Sequence, residues 1–288
     1  MISSIHQNEL AARRLGAALP PLVVAAQRIA ATVMMGAHGL RRAGPGEDFW
    51  AYRSYSFGDS AQRIDWRKSA RSDETFIRDN EWDVANTLWL WVNRGPRMNF
   101  KSHLASETKA NHAQVLGLAM AALALRAHER VGILGSGRRA SSGPHVLSTL
   151  AASLQAGNDG AVPSPGRIQR RAICLLVSDF LEEPDLVREA LSRLSENGMS
   201  GVLVQISDPA EETLPYEGRI EFHALDLPMR WRARKTQDLR EDYAKAFAEQ
   251  RETIRDAAQR LGFGFLVHRT DKPLTQTVLA LHHRLGTR

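Results

Sequence analysis

The sequence predicts an α/β protein built on a doubly wound, mostly parallel sheet. Three observations point there. From Thr87 onward, runs of strand length alternate with runs of helix length. The strand-length runs, among them TLWLWVN (87–93), AICLLVS (172–178) and GVLVQIS (201–207), are apolar almost throughout rather than alternating. Strands covered by helices on both faces have this character. The connections are also long enough for right-handed helical crossovers.

In chain order, residues 1–35 read as an N-terminal helical arm, in two short amphipathic pieces around Pro20 and Pro21. Residues 36–86 form an irregular block rich in Gly, Arg, Asp and aromatics, with β-hairpin pieces near Phe49 to Tyr55 and Thr75 to Trp82. Residues 87–288 make the α/β domain. Thr87 to Asn93 is a buried strand. Lys109 to Glu129 is a long helix, and its apolar positions Val115, Leu116, Leu118, Ala119, Ala122, Leu123 and Leu125 cover a face wide enough to pack on two sides.

Val131 to Gly135 is a strand ended by glycine, and Pro144 to Gln155 is helical. The loop 157–166, rich in Gly, Pro and Ser, is expected on the surface. Ala172 to Ser178 is a buried strand. Pro184 to Asn197 is a helix with proline at its start and Gly198 past its end. Gly201 to Ser207 is the next strand, and Arg219 to His223 a short one. Gln237 to Leu261 is an amphipathic helix with Leu239, Tyr243, Phe247, Ile254 and Leu261 near one face. Gly262 to His268 is a strand, and Leu274 to Leu285 a final helix.

Composition narrows the function classes. At 43% hydrophobic and 24% charged, the 288 residues are ordinary for a globular chain, neither disordered nor disulfide-stapled. The single cysteine, Cys174, forms no internal disulfide and no thiolate metal site, which suits a reducing, cytoplasmic setting. The longest uncharged apolar stretch, Val115 to Leu125, is shorter than the ~20 residues a membrane span needs. Arg13-Arg14 before LGAALPPLVVAA loosely imitates a signal peptide, but Glu9, the two prolines and the continuing pattern argue against export.

Net charge is +6, and only six of the 38 basic residues are lysine. Between Gly36 and Trp82, eight basic and eight acidic residues cancel. That balance weakens a nucleic-acid reading, which needs a basic surface.

In that block Arg and Asp alternate with Trp, Tyr and Phe. Such a run suits an irregular cap held by arginine–carboxylate pairs. It equally suits a docking surface for another protein, with Arg53, Tyr55, Asp59, Arg63, Asp65, Trp66, Arg67 and Arg71 as the candidates.

The same residues carry a family resemblance. Gly-Pro-Gly-Glu-Asp-Phe (44–49), Tyr52-Arg53-Ser54-Tyr55, Gly58-Asp59, Arg63-Ile64-Asp65-Trp66-Arg67 and Ser69-Ala70-Arg71 follow one another. Downstream come Lys109, Glu129-Arg130-Val131-Gly132, Ser178-Asp179-Phe180 and Ser207-Asp208-Pro209-Ala210-Glu211. This ordered set, over about residues 36–270, resembles the family called domain of unknown function 58. The resemblance implies a von Willebrand factor A-like fold. It also implies partnership with a MoxR-type AAA+ ATPase, as an adaptor in the assembly or maturation of a protein complex.

An A-like fold usually carries a metal-ion-dependent adhesion site whose first loop reads Asp-x-Ser-x-Ser-Met in many family members. Aligned on Met98, the positions in this chain are Asn93, Gly95 and Arg97. The aspartate has lost its charge and both hydroxyls are gone, whereas Mg²⁺ wants octahedral oxygen ligands. Asp179 remains. Three outcomes are open: a dead ion site, residual Mg²⁺ held by Asp179, Asn93 and waters, or Arg97 in place of the ion, paired with Asp179.

The remaining clusters are less specific. Asp208-Pro209 before Ala210-Glu211-Glu212 reads as a helix cap, with partner binding as the alternative. Met229 to Lys235, basic and aromatic, reads as a solvated segment leading into the next helix, or as a patch for acidic proteins, phosphate backbones or anionic membranes. The ten histidines show no metal-ligand spacing, and no phosphate-binding glycine loop is present. The sequence therefore predicts a non-enzymatic interaction module without a cofactor. A divalent-metal-dependent binder and a nucleic-acid- or membrane-surface-binding protein are the alternatives.

Overall fold

The computed structural model describes residues 20–37, 49–54, 76–80, 87–156, 162–164, 172–225 and 228–285, together with Ser69. The chain divides into two compact units, one of residues 37–85 and one of all the rest.

Five strands form the parallel sheet of the larger unit: β3 (Thr87–Val92), β4 (Arg130–Ile133), β5 (Ile173–Ser178), β6 (Ser200–Ser207) and β9 (Phe263–Arg269). Their order across the sheet is β4-β3-β5-β6-β9, and each pair is parallel. At the outer edge of β4, Val131 and Ser141 exchange both backbone hydrogen bonds in antiparallel fashion, at 2.9 and 3.0 Å.

The alternation of side chains divides two cores. Leu88, Leu90 and Val92 of β3 face one side with Leu175, Val177, Val202 and Val204. Trp89 and Trp91 face the other with Cys174, Leu176, Leu203 and Phe265. Both sides are apolar, which is why these strands carry no polar alternation in sequence.

Four helices cover the first side: α1 (Pro20–Ala37), α2 (Lys109–Arg126), α3 (Val146–Gln155) and α7 (Leu274–Leu285). Helix α2 is buried along most of its length because it packs against the sheet, α3 and α7 together. Thr108 caps it, accepting a hydrogen bond from Asn111 N at 3.1 Å. Helices α4 (Pro184–Glu196) and α6 (Arg240–Arg260) cover the second side. Helix α4 begins at Pro184 and gives way to Gly198, whose φ of 73° is the left-handed end that glycine supplies cheaply. The short α5 (Pro209–Thr213) has Asp208 as N-cap and a full capping box with Glu211, as the sequence suggests.

Some boundaries differ from expectation. Helix α1 is one continuous helix starting at the prolines, because proline fits the first helical turn and breaks only later ones. Its Ala26, Ala30 and Val33 lie in the core of the larger unit, and the helical piece expected before the prolines lies outside the described residues. The segment from Gln237 opens with a 3-10 turn (Thr236–Leu239) before α6 begins. Along α6 only Ile254 and Ala258 are fully buried.

The basic, aromatic segment before it is not simply solvated chain. Arg230–Ala233 is strand β8, paired antiparallel with β7 (Ile220–His223). The 157–166 loop lies mostly outside the described residues. In the smaller unit, β1 (Phe49–Ser54) and β2 (Phe76–Asn80), where the sequence suggests β-hairpin pieces, pair with each other antiparallel with a bulge near Phe49. No helix among the described residues is long and apolar enough to cross a membrane.

Where β5 and β6 run side by side, Gly201 lies against the Cys174 backbone. A Cβ there would meet the Cys174 carbonyl oxygen at 1.8 Å, and backbone cannot step aside as a flexible side chain would. Gly201→Ala is expected to destabilise the chain by about 1–3 kcal/mol, the usual range for overpacking, read as a lower midpoint in urea unfolding.

Candidate functional site

In a sheet of this order the connections leave in opposite directions from β3 and β5, and the crevice beyond their carboxyl ends is where ligands bind. Three loops meet there, after β3, β5 and β6. Asn93 continues β3 by one residue, its N–H donating to Val177 O at 2.8 Å. Its side-chain oxygen accepts from Gly95 N at 2.8 Å, which folds the loop back. Its amide nitrogen donates to Ser178 Oγ at 2.9 Å and Glu182 Oε1 at 3.4 Å. Arg97, in the 3-10 turn Pro96–Asn99, reaches Glu182 Oε1 at 2.5 Å and lies 4.0 Å from Asp179 Oδ2.

The nearest cation to Asp179 is a different residue. Lys109, at the first turn of α2, is fully buried, and its ammonium donates to Asp179 Oδ2 at 3.0 Å and Glu211 Oε1 at 2.5 Å. The Phe100 ring lies 5.9 Å away and forms part of its wall. Glu211 Oε2 accepts from Asp208 N at 3.0 Å, and Asp208 Oδ2 accepts from Ser102 N at 2.9 Å. One ammonium thus links the loops after β5 and β6, and Asp208 carries the link back to the loop after β3.

A second chain runs alongside. Gln205 donates to Asp179 O at 2.9 Å and accepts from Arg251 Nε at 2.7 Å, and Arg251 also pairs with Glu212. Phe180, between the two networks, holds a φ of 49°, a left-handed geometry a bulky residue adopts only when its surroundings impose it.

Burial raises the carboxyls of Glu182 and Glu211 above the usual carboxylate range. For Glu182 the Asp179 charge adds to the rise and Arg97 opposes it; for Glu211, Lys109 is the chief opposing influence. Tyr243 is pushed up to about 12 by burial, with Glu211 contributing.

This donor set does not fit a divalent cation. The point beside Asp179 already holds an ammonium, with a guanidinium 4.0 Å from the same oxygen. Asn93 turns its amide nitrogen, not its oxygen, toward Ser178 and Glu182. Among the described residues no group of three or more His, Cys, Asp or Glu is placed to hold a metal. Gly95 brings no ligand atom of its own and serves only the turn. Of the signature-block candidates, Arg53 lies in β1 opposite Ile77. Tyr55, Asp59, Arg63, Asp65, Trp66, Arg67 and Arg71 lie outside the described residues.

The family model described as protein of unknown function DUF58 matches residues 51–253. The chain belongs to the DUF58 family. Two similar relatives are Uncharacterized protein Rv1480 of Mycobacterium tuberculosis and Uncharacterized protein Mb1516 of Mycobacterium bovis. Each is 24% identical, with 93% of this chain and 89% of the relative covered. Among solved structures, an aerotolerance-related membrane protein from Bacteroides fragilis is similar at 9% identity. Its TM-score is 0.40, with 70% of this chain and 100% of that one covered. The conserved hypothetical protein BatB from Bacteroides thetaiotaomicron gives 9% identity and a TM-score of 0.38 over the same shares.

Next to the crevice the structure shows a pair the sequence does not announce. His112, one turn along α2 from Lys109, shares a 2.8 Å hydrogen bond with His268 at the end of β9, and His268 shares another of 2.8 Å with Thr277. Burial lowers both histidines, His268 to about 4, with the His112 ring adding to its drop and Asp271 opposing it. Both shifts favour the neutral imidazole in the folded state.

Two predictions follow from this geometry. Asp179→Ala leaves a buried ammonium with half its partners, and is expected to lose about 3–5 kcal/mol in urea unfolding. The unfolded chain takes up protons at His268 near pH 6.5 and the folded chain only near 4, so its contribution is complete above 6.5 and is lost on acidification to about 4. That contribution is at most about 3 kcal/mol. Glu182 and Glu211 titrate in the opposite sense. The histidine contribution is thus read as the difference between wild type and His268→Gln, whose stability is expected to fall less steeply from pH 6.5 to 4.

Proposed function

We propose that this DUF58 chain is a non-enzymatic interaction module, an adaptor that works with a MoxR-type AAA+ ATPase in the assembly or maturation of a protein complex. Its frame in this reading is a von Willebrand factor A-like domain acting in the cytoplasm. The ATPase and the A-like assignment come from the motif resemblance. The parallel sheet, the antiparallel bridge at its β4 edge and the crevice loops support the A-like frame, and the free, buried Cys174 suits the compartment.

The observation that carries the reading is the β7–β8 hairpin. Leu225, Met229 and Trp231 are 49%, 64% and 55% exposed on this one element. Exposed apolar side chains scattered singly mean little, but gathered on one projecting element they mark a contact surface. Trp231 stacks on Phe222 with centroids 5.7 Å apart, and Phe222 meets Tyr216 edge-on at 6.1 Å. The ladder holds the tryptophan in place while leaving it open to a partner. The opposite face carries Glu221 paired with Arg232 at 2.8 Å and Arg230 at 3.9 Å.

The same mixture of Trp, Met and Arg favours one second reading, attachment to an anionic membrane surface.

The test is affinity capture with the full chain and a non-hydrolysable ATP analogue, followed by identification of the bound protein by mass. A stoichiometric AAA+ ATPase retained by wild type and lost in Trp231→Ala is the expected result. Absence of any AAA+ ATPase overturns the adaptor reading. Co-sedimentation of wild type, but not Trp231→Ala, with vesicles containing phosphatidylserine would put the membrane reading in its place.

A further inference from the structure

We infer that the outer edge of β8 takes up an extended segment of a partner protein as a third strand, a segment in which acidic and large apolar residues alternate. The inference rests on the reading of β7–β8 as the contact surface and names the chemistry of what meets it.

The pairing register exposes the edge. β7 and β8 form a sheet of two strands, so among the described residues no strand covers the far side of β8. Ala224 N donates to Met229 O at 3.0 Å, one step beyond the His223–Arg230 pair. In an antiparallel ladder, hydrogen-bonded and non-hydrogen-bonded pairs alternate. Phe222–Trp231 and Ile220–Ala233 therefore carry the ladder bonds. Arg230 and Arg232 turn their backbone N–H and C=O groups outward. Such a row of groups is a template for another strand.

The side chains select which strand. Trp231 shares one face with Phe222, while Arg230 and Arg232 share the other with Glu221 and His223. Arg230, Trp231 and Arg232 are all exposed. On the charged face a single carboxylate, Glu221, serves both guanidiniums, and the exposed Arg234 and Lys235 follow the strand. Positive charge is left unbalanced along this edge.

A strand laid beside β8 puts its central side chain next to Trp231 and the two flanking ones next to Arg230 and Arg232. The matching order is acidic, apolar, acidic. Basic flanking residues would be repelled. A second copy of the same edge is a poor occupant for that reason, since antiparallel self-pairing sets arginine against arginine.

The experiment is fluorescence anisotropy of the full chain with a labelled peptide, Thr-Glu-Leu-Glu-Leu-Glu-Thr. Saturable binding is expected. The same peptide with lysine in place of glutamate is expected not to bind. The fully N-methylated glutamate peptide, which keeps the side chains but has no backbone donors, is also expected not to bind. Trp231→Ala is expected to weaken binding of the glutamate peptide about tenfold or more. Arg230→Glu is expected to weaken it as well, and to bind the lysine peptide more tightly than wild type does.

No binding of the glutamate peptide overturns the inference. So do equal binding of the glutamate and lysine peptides, undiminished binding of the N-methylated peptide, or undiminished binding by Trp231→Ala. Retention of wild type on phosphatidylserine vesicles without peptide binding overturns it in favour of a membrane surface. The assay contains no ATPase, so peptide binding stands even where capture finds no AAA+ protein and the adaptor reading fails. Capture of an ATPase through Trp231 without peptide binding overturns this inference alone.

Discussion

The crevice of this protein depends on one buried ammonium. Lys109 stands with no solvent contact between Asp179 and Glu211. Such pairs contribute little net stability against an apolar replacement, because desolvation consumes most of the attraction. Their value lies in geometry. An ammonium in a dry site accepts only arrangements that bring both carboxylates to it, so the loops after β5 and β6 have one permitted relation. Asp208, through Ser102 N, passes the same constraint to the loop after β3. The strained Phe180 backbone is tolerated because Gln205 and Gln250 fix the carbonyls around it.

A tethered cation and a bound one differ in what they allow. A divalent ion has open coordination positions, so a partner's carboxylate can complete its shell and the loops can shift between liganded and free states. Lys109 offers no vacant ligand position: two of its donors are committed, and the Phe100 ring lies nearby. The loops after β5 and β6 are therefore joined by a cation that belongs to the chain itself. Outside the crevice, the β7–β8 element leaves Leu225, Met229 and Trp231 exposed.

The sheet was legible because its strands are buried on both faces, and double burial writes itself as unbroken apolar runs at Thr87 to Val92, Ile173 to Ser178 and Ser200 to Ser207. The Asp208 cap was legible because capping is local and depends on residues three apart. Strand β8 was not. Arg-Trp-Arg-Ala lies outside the main sheet with three of its four residues exposed, so no burial pattern marks it. The role of Lys109 was hidden by distance, since its partners are 70 and 102 residues away. The His112–His268 pair is hidden by 156 residues. The departure of Asn93, Gly95 and Arg97 from the ion loop that the family resemblance implies was readable in the sequence. It drew attention to Arg97, the cation inside the motif, when the cation closest to Asp179 stands at the head of the next helix.

Charge placement ties these features together. The chain is +6 overall, yet its crevice gathers Asp179, Glu182, Asp208, Glu211 and Glu212. Among them, burial, with a smaller contribution from the Asp179 charge, raises Glu182 and Glu211 above the usual carboxylate range. Lys109, Arg97, Arg251 and Arg269 oppose them from four different elements. These four cations are engaged by the crevice carboxylates. Two further basic residues, Arg230 and Arg232, stand exposed on β8 and flank Trp231. The crevice loops are joined by internal ion pairs, whereas the β7–β8 pair is held by its strand pairing, the Phe222–Trp231 stack and the Glu221–Arg232 pair.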